Sequence, residues 1–250
     1  LQAIRNGQVD LDDPAVTRFL FERFAVVGVV ARVEGNRLER LGVTCAFCHS
    51  TVDDSVAPGI GRRLDGWANR DLDVGTILSL APNLEPVADL LGVDVDTVRT
   101  VLRSWGPGKF DAHLNLDGKA FRPDGEPAAV LIPPAFGLAG VNLSTYSGWG
   151  STTYWNAFVG NLEMNGSGRF FDPRLDDPGR FPVAASQGFD DVDDELDLVT
   201  SKLADLHVYQ LALEAPQPPP GSFDAEAAAR GRELFAGKAA CARCHVPPLY

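Results

Sequence analysis

Two five-residue stretches constrain this chain more than anything else in it. They are Cys45-Ala46-Phe47-Cys48-His49 and, 196 residues later, Cys241-Ala242-Arg243-Cys244-His245. Each reads C-x-x-C-H, the attachment signature of a c-type haem. Thiols one helical turn apart both reach the vinyl groups of one porphyrin edge, and the adjacent imidazole turns onto the iron. The two motifs use all four cysteines and two of the four histidines. Zinc held by two C-x-x-C pairs is the rival reading. Such pairs normally sit within a few tens of residues and need no His after each. A thioredoxin-type dithiol belongs in a βαβ setting that the flanking sequence lacks. The residues therefore read as two covalently bound haems. Cys45, Cys48, Cys241 and Cys244 are the attachment points, and His49 and His245 the proximal iron ligands.

The length of 250 residues suits one or two domains, and 45 % apolar content is enough for a real core. A net charge of −12 excludes nucleic acid, whose phosphates would be repelled, and suits a basic redox partner protein. No apolar run reaches the about 18 residues of a membrane span; the longest candidate, Ala25 to Ala31, is far too short. The chain starts at Leu1 with no visible signal peptide, and reads as mature or trimmed. Covalent haem attachment takes place outside the bacterial cytoplasm, so the expected location is periplasmic or secreted. Five residues follow His245, too few to enclose a haem, so the natural protein is expected to continue past Tyr250.

Asp13-Pro14 predicts an N-cap and a first helical residue, with Val16, Phe19, Leu20, Phe24 and Val27 at helical spacing in a helix to about Ala25. Val27 to Val33, a Gly35-Asn36 turn and the return through Leu38 and Leu41 form a candidate short hairpin leading to Cys45. Arg62 and Arg63 are candidates to pair with haem propionates, since guanidinium matches carboxylate geometry. Helices are predicted at 74–81, 85–91 and 95–104. Residues 106–146, with Pro107, Pro123, Pro127, Pro133 and Pro134, read as a long loop region of the kind that wraps a cofactor. Ser151 is a candidate N-cap for a helix whose Trp155, Phe158, Val159 and Leu162 share one apolar face, and Asn165-Gly166 stops it. Asp190 to Asp197 is strongly acidic, but calcium has no motif here because the EF-hand pattern is absent; a solvated loop is expected. A helix follows from Thr200 to Leu213, then a stiff Pro-rich linker at 216–221, then a helix to Phe235 ending at Gly237. The expected division is an enlarged first haem unit over 1–215, the linker, and the start of a second haem unit over 222–250.

Gly231-Arg232-Glu233-Leu234-Phe235 ahead of Cys241-Ala242-Arg243-Cys244-His245-Val246-Pro247-Pro248 resembles the start of the C-terminal haem domain in the dihaem cytochrome c superfamily. That superfamily includes bacterial cytochrome c peroxidases, MauG-type enzymes that oxidise a partner protein, and dihaem rubber oxygenases. Elsewhere the resemblance rests on the motif spacing, Trp-Gly-Pro-Gly, Ile-Pro-Pro and Trp/Phe patches. The spacing is closer to the rubber oxygenases, which place a Trp and a Phe near the haem. The resemblance thus implies haem-side roles for Trp155 and Phe171. The distal His that peroxidases place soon after the first motif has no counterpart, since no His lies between His49 and His113. The implied fold is mainly α, with cytochrome c-like haem domains, long irregular loops and the short β-hairpin.

The sixth iron ligand decides function, because an open iron meets peroxide or dioxygen while a His/Met iron transfers electrons. Met164, His113 and His207 are the distal candidates. Glu163 and His113 have the chemistry of an acid–base group for O–O cleavage. Trp105, Trp149 and Trp155 are candidates to relay electrons, or are large core residues. Two functions follow. One is a dihaem oxidoreductase, peroxidase- or oxygenase-like, with an open catalytic haem on His49 and an electron-transfer haem on His245. The other is an electron carrier without a substrate. The length of the first unit favours the enzyme; hydrogen peroxide, dioxygen, a partner protein and a hydrophobic polymer are all compatible with it.

Overall fold

A computed structural model of the chain describes residues 1–35, 37–117, 129–145 and 147–246. Helix α1 spans Gln2–Arg5 and α2 spans Pro14–Phe21, with Asp13 accepting the Ala15 amide and Pro14 at the first helical position. α2 stops at Phe21 rather than near Ala25, and Phe24 turns to φ +53. Strands β1 (Val29–Glu34) and β2 (Arg37–Val43) pair antiparallel, Val29 opposite Val43. The expected hairpin is therefore present; Asn36 of its expected turn lies outside the described residues.

The hairpin delivers the chain to α3 (Ala46–His49), a single turn carrying the first motif. Strands β3 (Ser50–Val52) and β4 (Arg63–Asp65) follow as a second antiparallel pair. Then come α4 (Val74–Ser79), α5 (Glu85–Leu91) and α6 (Val95–Ser104), close to the expected bounds. Asp73 and Asp94 cap α4 and α6 by accepting the Thr76 and Thr97 amides, and Gly92 ends α5 in the left-handed region. Together these helices enclose Leu72, Val74, Leu84, Ala88, Val98, Leu102 and Trp105. Gly75 is needed there because any Cβ would fall 2.0 Å from the Leu102 carbonyl oxygen, backbone against backbone.

The region expected to be loop holds β5 (Lys109–Phe110), α7 (Leu114–Asp117) and β6 (Val130–Leu131), with β5 and β6 paired; Pro123 and Pro127 lie outside the described residues. Helix α8 (Thr152–Phe158) starts at the Ser151 cap and runs on as a π-helical turn, Val159–Glu163. Strand β7 (Arg169–Phe171), a 3-10 turn Pro173–Leu175, α9 (Pro182–Gln187) and β8 (Asp191–Asp193) come next, β7 pairing with β8. They close a second core of Leu116, Trp155, Phe158, Phe170, Leu175, Phe181 and Ala184. Helix α10 (Thr200–Ala212) is followed by residues 213–224 with neither helix nor strand, then α11 (Ala225–Ala236), which buries no residue.

The expectation of a mainly α chain is overturned. Helix makes up 39 % and strand 14 %, in small antiparallel sheets, so the fold is an α/β mix. The strands missed are two or three residues long, too short to show an alternating pattern. Their partners lie up to 24 residues away, as Arg169 opposite Asp193 shows, so tertiary closure and not local propensity makes them. The acidic stretch expected to be a solvated loop likewise holds β8, and Asp197 accepts the Thr200 amide at the start of α10. Among the described residues no helix is long and apolar enough to cross a membrane.

Gly75→Ala should cost about 1–3 kcal/mol or more through backbone overpacking. Gly231→Ala, in open space on α11, should be neutral or stabilising by up to about 1 kcal/mol. Urea unfolding midpoints of the two variants check the contrast.

Candidate functional site

The first motif is clamped from three sides by backbone. The Thr44 amide donates to the Gly28 carbonyl at 2.8 Å. A Cβ at Gly28 would lie 2.1 Å from the Phe47 nitrogen, so only glycine lets the start of the hairpin reach the motif. The carbonyls at the end of α3 are all taken. Asn69 donates its side-chain amide to Phe47 (3.1 Å) and its backbone amide to Cys48 (2.9 Å), and Gly66 donates to His49 (2.9 Å).

The His49 ring then has one orientation. Its Nδ1 lies 3.1 Å from the Pro133 carbonyl oxygen. A carbonyl only accepts, so Nδ1 carries the proton and Nε2 keeps its lone pair. Burial lowers the His49 pKa below the ordinary histidine value, outweighing the opposite pull of that hydrogen bond. The group is thus a neutral imidazole with Nε2 as its donor atom, the form that ligates a metal. An outer hydrogen bond from the other ring nitrogen to a carbonyl is the usual means of orienting such a ligand. Two residues before Pro133, Leu131 leaves 58 % of its surface exposed, and Trp67 is also exposed, its ring edge-on to Phe136 at 5.7 Å.

Both cysteines of the motif are reduced. Cys48 packs against the first core, and burial, then the charges of Glu163 and Cys45, push its thiol up to about 11. A redox-active dithiol needs the opposite, a thiolate near neutral pH. Among the described residues no three of His, Cys, Asp or Glu are gathered to hold an ion.

Glu163 ends the π-helical turn, a feature frequent at functional sites. Its Oε1 is sealed from solvent with no hydrogen-bond partner among the described residues. Burial, then the charge of Asp111, holds its carboxyl well above the usual range. Asp111 is only 2 % exposed and accepts the His113 amide at 2.9 Å. Asn115 ties α7 to the π-helical turn by donating to the Leu162 carbonyl at 2.9 Å. Cys48, Glu163, Asp111 and His113 therefore share one neighbourhood, with half-buried Met164 next to Glu163. Of the remaining histidines, His207 lies on α10 with its Nδ1 3.4 Å from the Thr153 hydroxyl.

Other expected site residues stand apart. Arg62 is largely exposed and pairs with Asp53 at 3.4 Å. Arg63 forks onto Asp65 at 2.6 and 2.7 Å. Burial pushes the Asp65 carboxyl up, but hydrogen bonds from Arg63, Ser50 and Tyr209 outweigh it and hold it at about 2. That carboxylate joins α10 to the strand leaving His49 through Tyr209 and Ser50. Trp155 packs in the second core, whereas Phe171 is 67 % exposed on β7 and Phe170 faces inward, so the structure separates Trp155 from Phe171. Trp105 is fully buried in the first core, its ring edge-on to Phe110 at 5.6 Å. The second motif forms a 3-10 turn, Cys241–Arg243, with the His245 amide on the Cys241 carbonyl at 2.9 Å and its ring 6.4 Å from Phe235; Pro247 and Pro248 lie outside the described residues.

Pro133, Asn69, Asp65 and Asp111 escaped the sequence reading as site residues. Ile-Pro-Pro was the one available signal, and it does not say which imidazole its carbonyl meets. No protein-family model, curated protein or solved structure matches this chain.

The Glu163 carboxyl stays protonated in the fold at pH values where the unfolded chain, near 4.5, has ionised. The folded state binds the extra proton, so stability falls as pH rises above that value. Glu163→Gln should match the parent in urea midpoint near about pH 4 and overtake it toward about pH 7. A parent-to-variant difference that is constant across this range would contradict the assignment.

Proposed function

We propose that the chain is a periplasmic or secreted dihaem c-type cytochrome acting as an oxidoreductase, peroxidase- or oxygenase-like. Its catalytic haem is attached at Cys45 and Cys48 and ligated by His49; its electron-transfer haem is attached at Cys241 and Cys244 and ligated by His245. The observation that carries this reading is the His49 ring, fixed through Nδ1 on Pro133 and left with a neutral Nε2. The residues present fit the group. The donor set suits iron, both thiols of the motif are reduced and one turn apart, and exposed apolar surface at Leu131 and Trp67 offers a cover for a flat macrocycle.

Bound haem supplies the redox chemistry toward hydrogen peroxide or dioxygen. The chain's own part is to orient and to handle protons. The Pro133 carbonyl holds the His49 plane. Glu163 holds a proton on its buried carboxyl, close to Cys48, and would supply it as the acid in O–O cleavage were haem bound there. Arg62, largely exposed beside the motif's return strand, is the more accessible guanidinium for a propionate. The acidic chain suits a basic electron partner. Met164 favours a second reading, the electron carrier, because its thioether lies half-buried one residue from Glu163.

Produced with a c-type maturation system, the protein should carry two covalent haems by intact mass and pyridine haemochrome. The ferric or half-reduced protein should show a high-spin EPR signal that cyanide converts to low spin and His49→Ala abolishes. Glu163→Gln should slow peroxide turnover about 10²–10⁴-fold at unchanged haem content. Two low-spin signals in the ferric protein, with the haem that stays ferric after one-electron reduction also low-spin, would favour the carrier; absence of covalent haem would overturn both readings.

A further inference from the structure

The second core contains a hydrogen-bonded chain of polar groups that haem attachment does not use. The Trp149 Nε1–H donates to the Tyr154 hydroxyl oxygen at 2.8 Å. That hydroxyl donates to Asp172 Oδ2, also at 2.8 Å. Asp172, 4 % exposed, is gripped by Arg174 through two bonds of 2.8 and 2.7 Å. The Arg174 guanidinium lies over the Trp149 ring, 4.0 Å from its centroid. Tyr154 is also packed against Trp155 at 5.4 Å, Phe170 at 5.5 Å and Phe158 at 6.2 Å.

We propose that Tyr154 is a redox-active residue, oxidised by one electron to a neutral phenoxyl radical while its proton passes to Asp172. This rests on the peroxide-reactive reading of the His49 site. The O–H bond of Tyr154 breaks, an O–H bond forms on Asp172 Oδ2, and one electron leaves the ring. Hydrogen peroxide is the oxidant. It would become two waters by taking two protons from solvent and two electrons, one from Tyr154 and, were haem bound at the first motif, the other from that group.

Four observations single out Tyr154 among the aromatic residues here. First, among the rings of the second core it is the one whose proton lies on a carboxylate, Asp172. The Trp155 Nε1 is buried without a partner among the described residues, so an oxidised Trp155 has nowhere to shed its proton. Second, the Arg174 cation lies closer to the Trp149 ring, 4.0 Å from its centroid, than to the Tyr154 ring at 5.5 Å, so it opposes removal of an electron more strongly at Trp149. Third, burial, then the bond to Asp172, keeps the phenol above the ordinary tyrosine range, so it meets the oxidant protonated and must release that proton to Asp172. Burial raises the Asp172 pKa, but its bonds from Arg174 and Tyr154 outweigh this and keep it below the usual carboxylate value. Arg174 fixes that carboxylate in place, with Oδ2 2.8 Å from the phenol oxygen. Fourth, Tyr154 lies on the helical run that continues to Glu163, whose carboxyl is close enough to Cys48 to influence its thiol. Nine residues of that run amount to about 13 Å of rise, with Trp155 and Phe158 as intervening rings.

The test uses the haem-loaded full chain, labelled with ring-deuterated tyrosine, and two oxidants. One is hydrogen peroxide; the other is photogenerated ruthenium(III) tris-bipyridine, which needs no haem chemistry. Freeze-quench EPR should show, with both, a radical signal that deuteration narrows. Tyr154→Phe should cut it at least fivefold and Tyr209→Phe should leave it in place. Trp149→Phe, by removing the hydrogen bond to oxygen, should raise the largest g-value of the signal. A Tyr154-dependent signal with ruthenium alone supports the tyrosine assignment and counts against the peroxide-reactive haem. No tyrosyl signal with either oxidant, or one that Tyr154→Phe does not diminish, overturns the proposal.

Discussion

The hydrogen bond from the His49 Nδ1–H to the Pro133 carbonyl joins residues 84 apart in sequence and sets what the first motif can do. The acceptor is itself held rigidly. Ile132 donates its amide to Gly108, Ala135 to Gly66 and Gly137 to Leu213. Pro133 has no amide to satisfy, and Pro134 after it confines Pro133 to an extended conformation. The segment is thus a stiff arm presenting one oxygen. Gly66 belongs to both sides, accepting from Ala135 and donating to the His49 carbonyl, so imidazole and backbone of the same residue are positioned by one piece of chain.

Desolvation is the second constraint, and it acts in one sense around the motif. His49 is pushed toward the neutral imidazole, Cys48 toward the thiol, and Glu163 toward the carboxylic acid. Three different chemistries are thereby held uncharged by the same cause. Farther out the opposite solution appears. Asp65 and Asp172 each keep their charge because an arginine forks onto them and a tyrosine hydroxyl donates to them. The neutral inner zone suits an apolar ligand whose iron wants one nitrogen donor. The paired outer carboxylates brace the elements that carry it, Asp65 at α10 and Asp172 at α8.

How much of this was legible follows from how local each cause is. Caps and stops are local, so Asp13 and Ser151 marked their helices correctly and the bounds of α5 and α6 were readable. The motif was readable for the same reason: its five residues carry their chemistry within one turn. The short sheets were not, because β3 with β4 and β7 with β8 are made by closure of intervening chain. At the site the sequence nominated Glu163 by residue type, while its raised pKa comes from burial, then Asp111, on a helix that changes to π-helical pitch at Val159. Phe171 was nominated over Phe170 by distance along the chain, yet strand alternation puts Phe170 in the core and Phe171 outside.

The two C-x-x-C-H motifs are equal as ligand chemistry and unequal in setting. The first is braced by Gly28, Asn69, Gly66 and Pro133, its second cysteine resting on a packed core. The second follows a helix with no buried residue, its histidine beside a single phenylalanine ring. Ligand identity cannot divide the work between two such sites, since both offer the same atoms. Under the proposed reading burial can, because a buried carboxyl able to hold a proton occurs beside the first and would give O–O chemistry its acid. The Trp149–Tyr154–Asp172–Arg174 chain, on the helical run that ends at that carboxyl, would add a place to hold the oxidising equivalent. Reaction at His49 and electron supply at His245 is therefore a division that the surroundings support and that the motifs alone leave undetermined.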